Sequence, residues 1–133
     1  MFLDTCFLID LIRESVRGID GPAMKKLQSI DNLQMNVSLF SVCELMGGAA
    51  KSLHPEAEKR KVEMLIEQLR VVYPEIGFEI IYAEIYADLL SRGLMIPQMD
   101  LLIGSQAKMM NMPLITRDID HFSRIRGLTV EVY

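Results

Sequence analysis

Apolar residues recur along this chain with two periods, and the change from one to the other is abrupt at the start. Met1 to Leu3 is an apolar run that reads as a short buried strand. Asp4 and Thr5 follow, and then Phe7 and Leu11, like Leu8 and Ile12, stand four apart, which is helical spacing. Arg13 to Gly21 is polar and glycine-bearing and predicts a loop. Pro22 suits a first helical position, and Ala23, Leu27 and Ile30 continue a short amphipathic helix that Asp31-Asn32 ends. Met35, Val37 and Leu39 alternate with Gln34, Asn36 and Ser38, the pattern of a second strand.

A helix beginning between Ser38 and Ser41 carries Glu44-Leu45-Met46-Gly47-Gly48-Ala49-Ala50. Paired glycines are costly inside a helix, so Gly47-Gly48 predicts close packing against another element. His54 is a break, and Pro55 opens a long helix whose core face is Val62, Leu65, Ile66 and Leu69. Val71-Val72-Tyr73 reads as a third strand, ended by Pro74. Phe78 to Arg92 is helical with Ile81, Ile85 and Leu89 on one face and Gly93 as the cap beyond. Pro97 precedes a helix from Met99 to Met110, which Asn111 ends. Leu114-Ile115-Thr116 is a fourth strand, Arg117 to Arg124 a polar turn, and Leu128, Val130 and Val132 alternate as a last strand after Gly127.

Strands separated by helices require crossovers, which are right-handed and join parallel strands. The expectation is an α/β layer sandwich with a parallel sheet. At 133 residues, without repeats, linkers or low-complexity stretches, it reads as a single domain over residues 1–133. The formal charge of −4 offers no net positive field, which counts against a protein that simply coats nucleic acid. It leaves room for an enzyme that grips a few phosphates locally. Cys6 and Cys43 have no matching histidine cluster for zinc and read as small buried hydrophobes. No leader of secretory type and no apolar run long enough to span a membrane are present, so a reduced cytoplasmic setting is the expectation.

The candidate chemistry lies in four acids. Asp4 ends the first strand, Glu44 sits in the early turns of the helix after the second, Asp100 opens the helix after Pro97, and Asp118 lies just past the fourth strand. Strand carboxyl ends and helix amino ends can meet at one edge of a parallel sheet, where ligands bind. Carboxylates packed together repel, so such a cluster persists only with a cation or with protons. Magnesium or manganese suits hard oxygen ligands. Each acid also has a structural reading. Ser41-Val42-Cys43-Glu44 fits a capping box, Asp100 a first-turn acid, and Asp118 a turn. Asp4 is hardest to dismiss, because a carboxylate straight after a buried strand is expensive without a partner.

In that order and context the segments resemble the PIN-domain ribonucleases, specifically the VapC-type toxins of bacterial and archaeal toxin–antitoxin pairs. The resemblance is carried by Leu3-Asp4-Thr5 with Phe7-Leu8-Ile9-Asp10, by Ser38 through Glu44-Leu45 with Gly48-Ala49, by Ile96 to Ile103 around Asp100, and by Thr116-Arg117-Asp118 with Phe122 to Ile125 and Gly127-Leu128. It implies a PIN-like three-layer α/β/α sandwich and a Mg²⁺-dependent endoribonuclease. Asp4, Glu44, Asp100 and Asp118 fall on the family's acidic positions, and Thr5 and Thr116 on its supporting hydroxyls. It further implies an RNA substrate, a small antitoxin partner and a homodimer. Three departures stand out: Cys6 where Asn or Ser is common, Asp118 where many relatives carry Asn, and Arg126 where Pro is frequent.

Arg117, Arg124 and Arg126 flank Asp118; Arg117 and Arg124 are candidates to hold an RNA phosphate, and Arg124 can equally pair with a carboxylate. Asp120 is a rival fourth acid. His54 and His121 read as surface residues, although His121 stands three residues past Asp118 and can approach the site. Lys59-Arg60-Lys61 reads as a solvated helix face, and Tyr82 and Tyr86 as packing. Met95, Met99, Met109, Met110 and Met112 are either gap filling or an adaptable interface for a second subunit or a partner helix. Aspartyl phosphotransferases also place Asp after a first strand. The haloacid-dehalogenase type wants a second Asp where Cys6 stands, and response-regulator receivers want a late Lys that is absent after Asn111. A PIN-fold nuclease of RNA processing and a non-catalytic PIN-like binding module remain as alternatives.

Overall fold

A computed structural model describes residues 1–30 and 34–133. The predicted helix stop at Asp31-Asn32 lies outside them. Five parallel strands form one sheet, β1 (Phe2–Leu3), β2 (Asn36–Ser38), β3 (Arg70–Val72), β4 (Leu114–Ile115) and β5 (Val130–Glu131), in the spatial order β3-β2-β1-β4-β5. The chain builds outward from β1 to β3 and then returns to the other side of β1 with β4. The reversal falls between β1 and β4, and in parallel sheets such a switch point opens a crevice at the strand carboxyl ends.

Side chains alternate across each strand, so neighbouring residues feed two cores. Leu3, Val37 and Ile115 pack with Phe7, Leu8, Leu11, Leu45 and Val62 on one face. Phe2, Val72 and Leu114 pack with Ile85, Leu89, Ile103 and Phe122 on the other. The first core is covered by α1 (Thr5–Arg17), α2 (Pro22–Gln28), α3 (Leu39–Ala50) and α4 (Pro55–Ile66). The second is covered by α5 (Phe78–Ser91), α6 (Gln98–Met109) and the short α7 (Ile119–Phe122). The result is the three-layer α/β/α sandwich expected. No helix among the described residues is long and apolar enough to cross a membrane.

Several local expectations need correction. Arg13 to Gly21 is not all loop: α1 runs to Arg17 and stops at Gly18, which takes the left-handed conformation (φ 62°) and donates to the carbonyls of Glu14 and Ser15. The polar tail stays helical because Glu14 turns inward and is buried. The start of α3 is capped by Ser38, whose hydroxyl accepts from the Phe40 amide at 3.0 Å, so the capping box at Ser41 does not form and Ser41 is buried within the helix. Gly47 and Gly48 pack against nothing: a Cβ on either would meet open space. The turn after Asp118 contains α7. Cys43 is exposed and Cys6 half-buried. On β2 the polar Asn36 and Ser38 are as buried as Val37, because β2 is an interior strand covered on both faces.

Candidate metal centre

The carboxyl ends of β1 and β4 set the frame. Asp4 leaves β1 with extended backbone and caps α1, its Oδ1 accepting from the Thr5 amide at 2.7 Å. Its Oδ2 accepts from the Thr116 hydroxyl at 2.7 Å and from the Cys6 thiol at 2.9 Å. The Thr116 hydroxyl in turn accepts from the Asp118 amide at 2.9 Å, so one buried threonine ties the ends of both strands. Across the cleft the Thr5 hydroxyl donates to Glu44 Oε2 at 2.6 Å.

Asp100 arrives from the other layer, in the first turn of α6. That helix is held in register by Gln106, which accepts from the Ser38 hydroxyl at 2.6 Å and donates to the Val72 carbonyl at 2.9 Å. The same serine caps α3, so a single buried network sets α6, which carries Asp100, against α3, which carries Glu44. Composition offers no signal for this role, since Gln106 matters only because its helix faces the sheet.

Asp4, Thr5, Glu44, Asp100 and Asp118 line one open cleft of about 270 Å³, with Arg13 and Arg117 at its wall. Thr116 lies beneath it, bonded to Asp4. Arg117 pairs with Asp10 at 2.5 Å. Arg124 does not line the cleft; it pairs with Asp120 at 2.9 Å and reaches the Met95 carbonyl. Asp120 is exposed and outside the cleft. His121, which reads from the sequence as a surface residue, lies against the acids. Its Nδ1 is hydrogen-bonded to Asp100 Oδ2 at 2.7 Å, and Asp118 Oδ2 stands 2.9 Å from the same nitrogen. Helical spacing from Asp118 was the available signal.

Burial pushes the Asp100 carboxyl above its ordinary range; the His121 hydrogen bond opposes the rise, and the charges of Asp4 and Asp118 add to it. Burial likewise pushes the Cys6 thiol up, with the Asp4 charge reinforcing it, so Cys6 stays a neutral donor to Asp4. Among the described residues, no Lys or Arg forms an ion pair with Asp4, Glu44, Asp100 or Asp118. Hard oxygen donors converge here while the two arginines of the wall, Arg13 and Arg117, pair with Asp10 instead, which leaves the donor set a divalent cation fits. Asp100, Asp118 and His121 can offer ligand atoms within 4.8 Å of one another.

The comparison with known proteins points the same way. The PIN domain profile matches residues 1–128. Ribonuclease VapC2 of Rickettsia felis is 31% identical over 100 residues, 75% of each chain. Ribonuclease VapC1 of Haemophilus influenzae (strain R2866) is 31% identical over 126 residues, 95% of this chain and 92% of that one. Among solved structures, VapBC2 from Rickettsia felis bound to a promoter DNA fragment superposes with a TM-score of 0.89 at 26% identity, covering 99% of this chain and 97% of that one. VapBC-1 from nontypeable Haemophilus influenzae superposes with a TM-score of 0.83 at 30% identity, covering 98% and 96%.

Proposed function

The chain belongs to the PIN-domain family, and from that premise we infer a VapC-type endoribonuclease, the toxin of a VapBC-type toxin–antitoxin pair. The observation that carries the site assignment is the convergence of Asp4, Glu44, Asp100 and Asp118 on one cleft without a lysine or arginine partner. These four acids are the proposed catalytic and metal-holding residues, Mg²⁺ the proposed ion with Mn²⁺ as its substitute, and residues 1–133 one PIN-like domain. A bound divalent cation supplies water activation and stabilises negative charge developing on the scissile phosphate.

The chain's own residues do the positioning. Thr116 and Cys6 hold the Asp4 carboxylate at the cleft. Thr5 fixes Glu44. Arg117, at the wall and paired with Asp10, is the proposed RNA-phosphate contact, with Arg13 beside it. Arg124 serves that role only by leaving Asp120.

The solved relatives are toxin–antitoxin complexes, and an antitoxin is the partner expected of this chain. An apolar groove of about 330 Å³ between α1, α2 and α4, lined by Leu11, Ile12, Val16, Leu27 and Met64, is the proposed seat for its apolar side chains. A homodimer is also proposed. The exposed apolar residues that favour it are Ile80 and Leu90 of α5, Ile76 before that helix and Met95 of the methionine-rich segment, whereas Met110 and Met112 pack against the core.

The test is RNA cleavage by purified protein free of antitoxin, read by sequencing the cut ends. Cleavage is expected with Mg²⁺ or Mn²⁺, to stop with EDTA, and to vanish in Asp100→Asn. Cutting that survives EDTA and Asp100→Asn overturns the reading.

A further inference from the structure

His121 is placed where a cation would be held, and nothing in the four-acid site requires it. Asp118 caps α7, and its Oδ1 accepts from the His121 amide at 3.3 Å. Phe122, fully buried on the next position, anchors that turn in the core. The imidazole is thereby turned back over Asp118 and toward the first turn of α6. Its Nδ1 comes to 2.7 Å from Asp100 Oδ2 and 2.9 Å from Asp118 Oδ2.

We infer that His121 is a nitrogen ligand of the divalent cation and that it biases the site toward Mn²⁺ or Co²⁺ over Mg²⁺. The inference rests on the metal-dependent reading above and deepens it. Adjacent donors around an octahedral ion with bonds of roughly 2.1 Å lie about 3.0 Å apart. The two nitrogen–oxygen separations are close to that edge length, so the three atoms can face one ion with little movement. A metal bound at Nδ1 takes the place of any proton carried there. Imidazole suits transition metals, whereas Mg²⁺ prefers oxygen donors and retained water. An all-carboxylate site treats Mg²⁺ and Mn²⁺ more evenly than one with a nitrogen donor.

The rival role for His121 is purely structural, an imidazole bonded to two acids. Pulsed electron paramagnetic resonance of Mn²⁺ bound to the whole protein separates the two, because a directly bound imidazole nitrogen modulates the manganese signal. Calorimetry with MgCl₂ and MnCl₂ alone gives the affinities. The expected result is nitrogen modulation in wild type, lost in His121→Asn, with Mn²⁺ binding at least about tenfold tighter than Mg²⁺ in wild type. In His121→Asn that ratio should fall to within about threefold while Mg²⁺ affinity changes little. Thermal melts in EDTA check that the variant folds, and the wild-type spectrum stands by itself if it does not. Mn²⁺ bound without nitrogen modulation overturns this inference alone. Modulation that persists in His121→Asn also overturns it, since it must come from another nitrogen. Failure of both ions to bind overturns it together with the metal-dependent reading.

Discussion

The two ends of α1 each hold a buried carboxylate, and they are satisfied in opposite ways. Near the carboxyl end, Glu14 reaches the first turn of α2, where its oxygens accept from the backbone amides of Ala23 at 3.2 Å and Met24 at 2.7 Å. The start of a helix is a natural anion site, and Glu14 fills it from a neighbouring element. Gly21 leaves the space, since a Cβ there would lie 2.3 Å from the carboxylate. At the amino end, Asp4 takes one backbone amide, but its other oxygen rests on a hydroxyl and a thiol beside an open cleft with three more acids. A carboxylate locked by fixed amides is structural. One held by rotatable side chains at a cleft can exchange donors for a cation. Burial does not distinguish them, since Glu14 is 7% exposed and Asp4 4%.

The largest expected effect breaks this comparison if it fails. Asp4→Asn should lower RNA cleavage by more than about a hundredfold, as losses of groups that stabilise developing charge typically do, with thermal stability near wild type. Glu14→Ala should do the reverse. It leaves two amides at the start of α2 without their partner and should cost about 2 kcal/mol in urea unfolding. Cleavage per folded molecule should stay unchanged. If Glu14→Ala loses cleavage while melting normally, the two ends of α1 are not distinct in role.

A smaller effect sharpens the electrostatic side. The folded-state carboxyl of Asp100 titrates above its ordinary range, chiefly through burial. The folded protein then holds that proton more tightly than the unfolded chain, so the destabilisation is full above the raised pKa and relieved as pH falls through it. In EDTA at pH 7.5, Asp100→Asn should melt above wild type, and the gap should close toward acid pH. Mg²⁺ should raise the wild-type melting temperature by binding only the folded state. Equal melting of both proteins in EDTA, with no response to Mg²⁺, removes the repulsive cluster.

The smallest effect concerns the thiols. Cys43 is exposed, whereas Cys6 is half-buried with its thiol pushed up and donating to Asp4. Iodoacetamide at pH 8, followed by peptide mass spectrometry, should label Cys43 well before Cys6. Equal labelling would place Cys6 in a more open site than its contacts with Asp4 and Thr116 allow.

Much of the frame was legible in the chain. Four of the five strands fell where apolar runs or alternation placed them, and the last, shorter than its alternation, still spans Val130–Glu131. Gly93, in the left-handed conformation beyond α5, and Pro97 before α6 marked their helix boundaries as expected. The local misreadings share a cause. Gly47-Gly48 predicts a close approach, yet that side of α3 faces open space. Ser41 matched a capping pattern, yet the chain enters the helix three residues earlier, at Ser38, which both caps α3 and binds Gln106.

What the sequence determined by itself was the alternation of strand and helix and the placing of Asp4, Asp100 and Asp118 at element ends, because hydrophobic period and turn chemistry act over a few neighbouring residues. The tertiary structure decided which acids meet and which do not. Asp4 and Thr116 are 112 positions apart and hydrogen-bonded, because β4 returns beside β1. His121 joins Asp100 across 21 positions because α7 turns back toward α6, while Glu14 is drawn to α2 by its exposed amides. Those outcomes depend on strand order and layer packing, which are set by burial summed over the whole chain, and no local pattern encodes them.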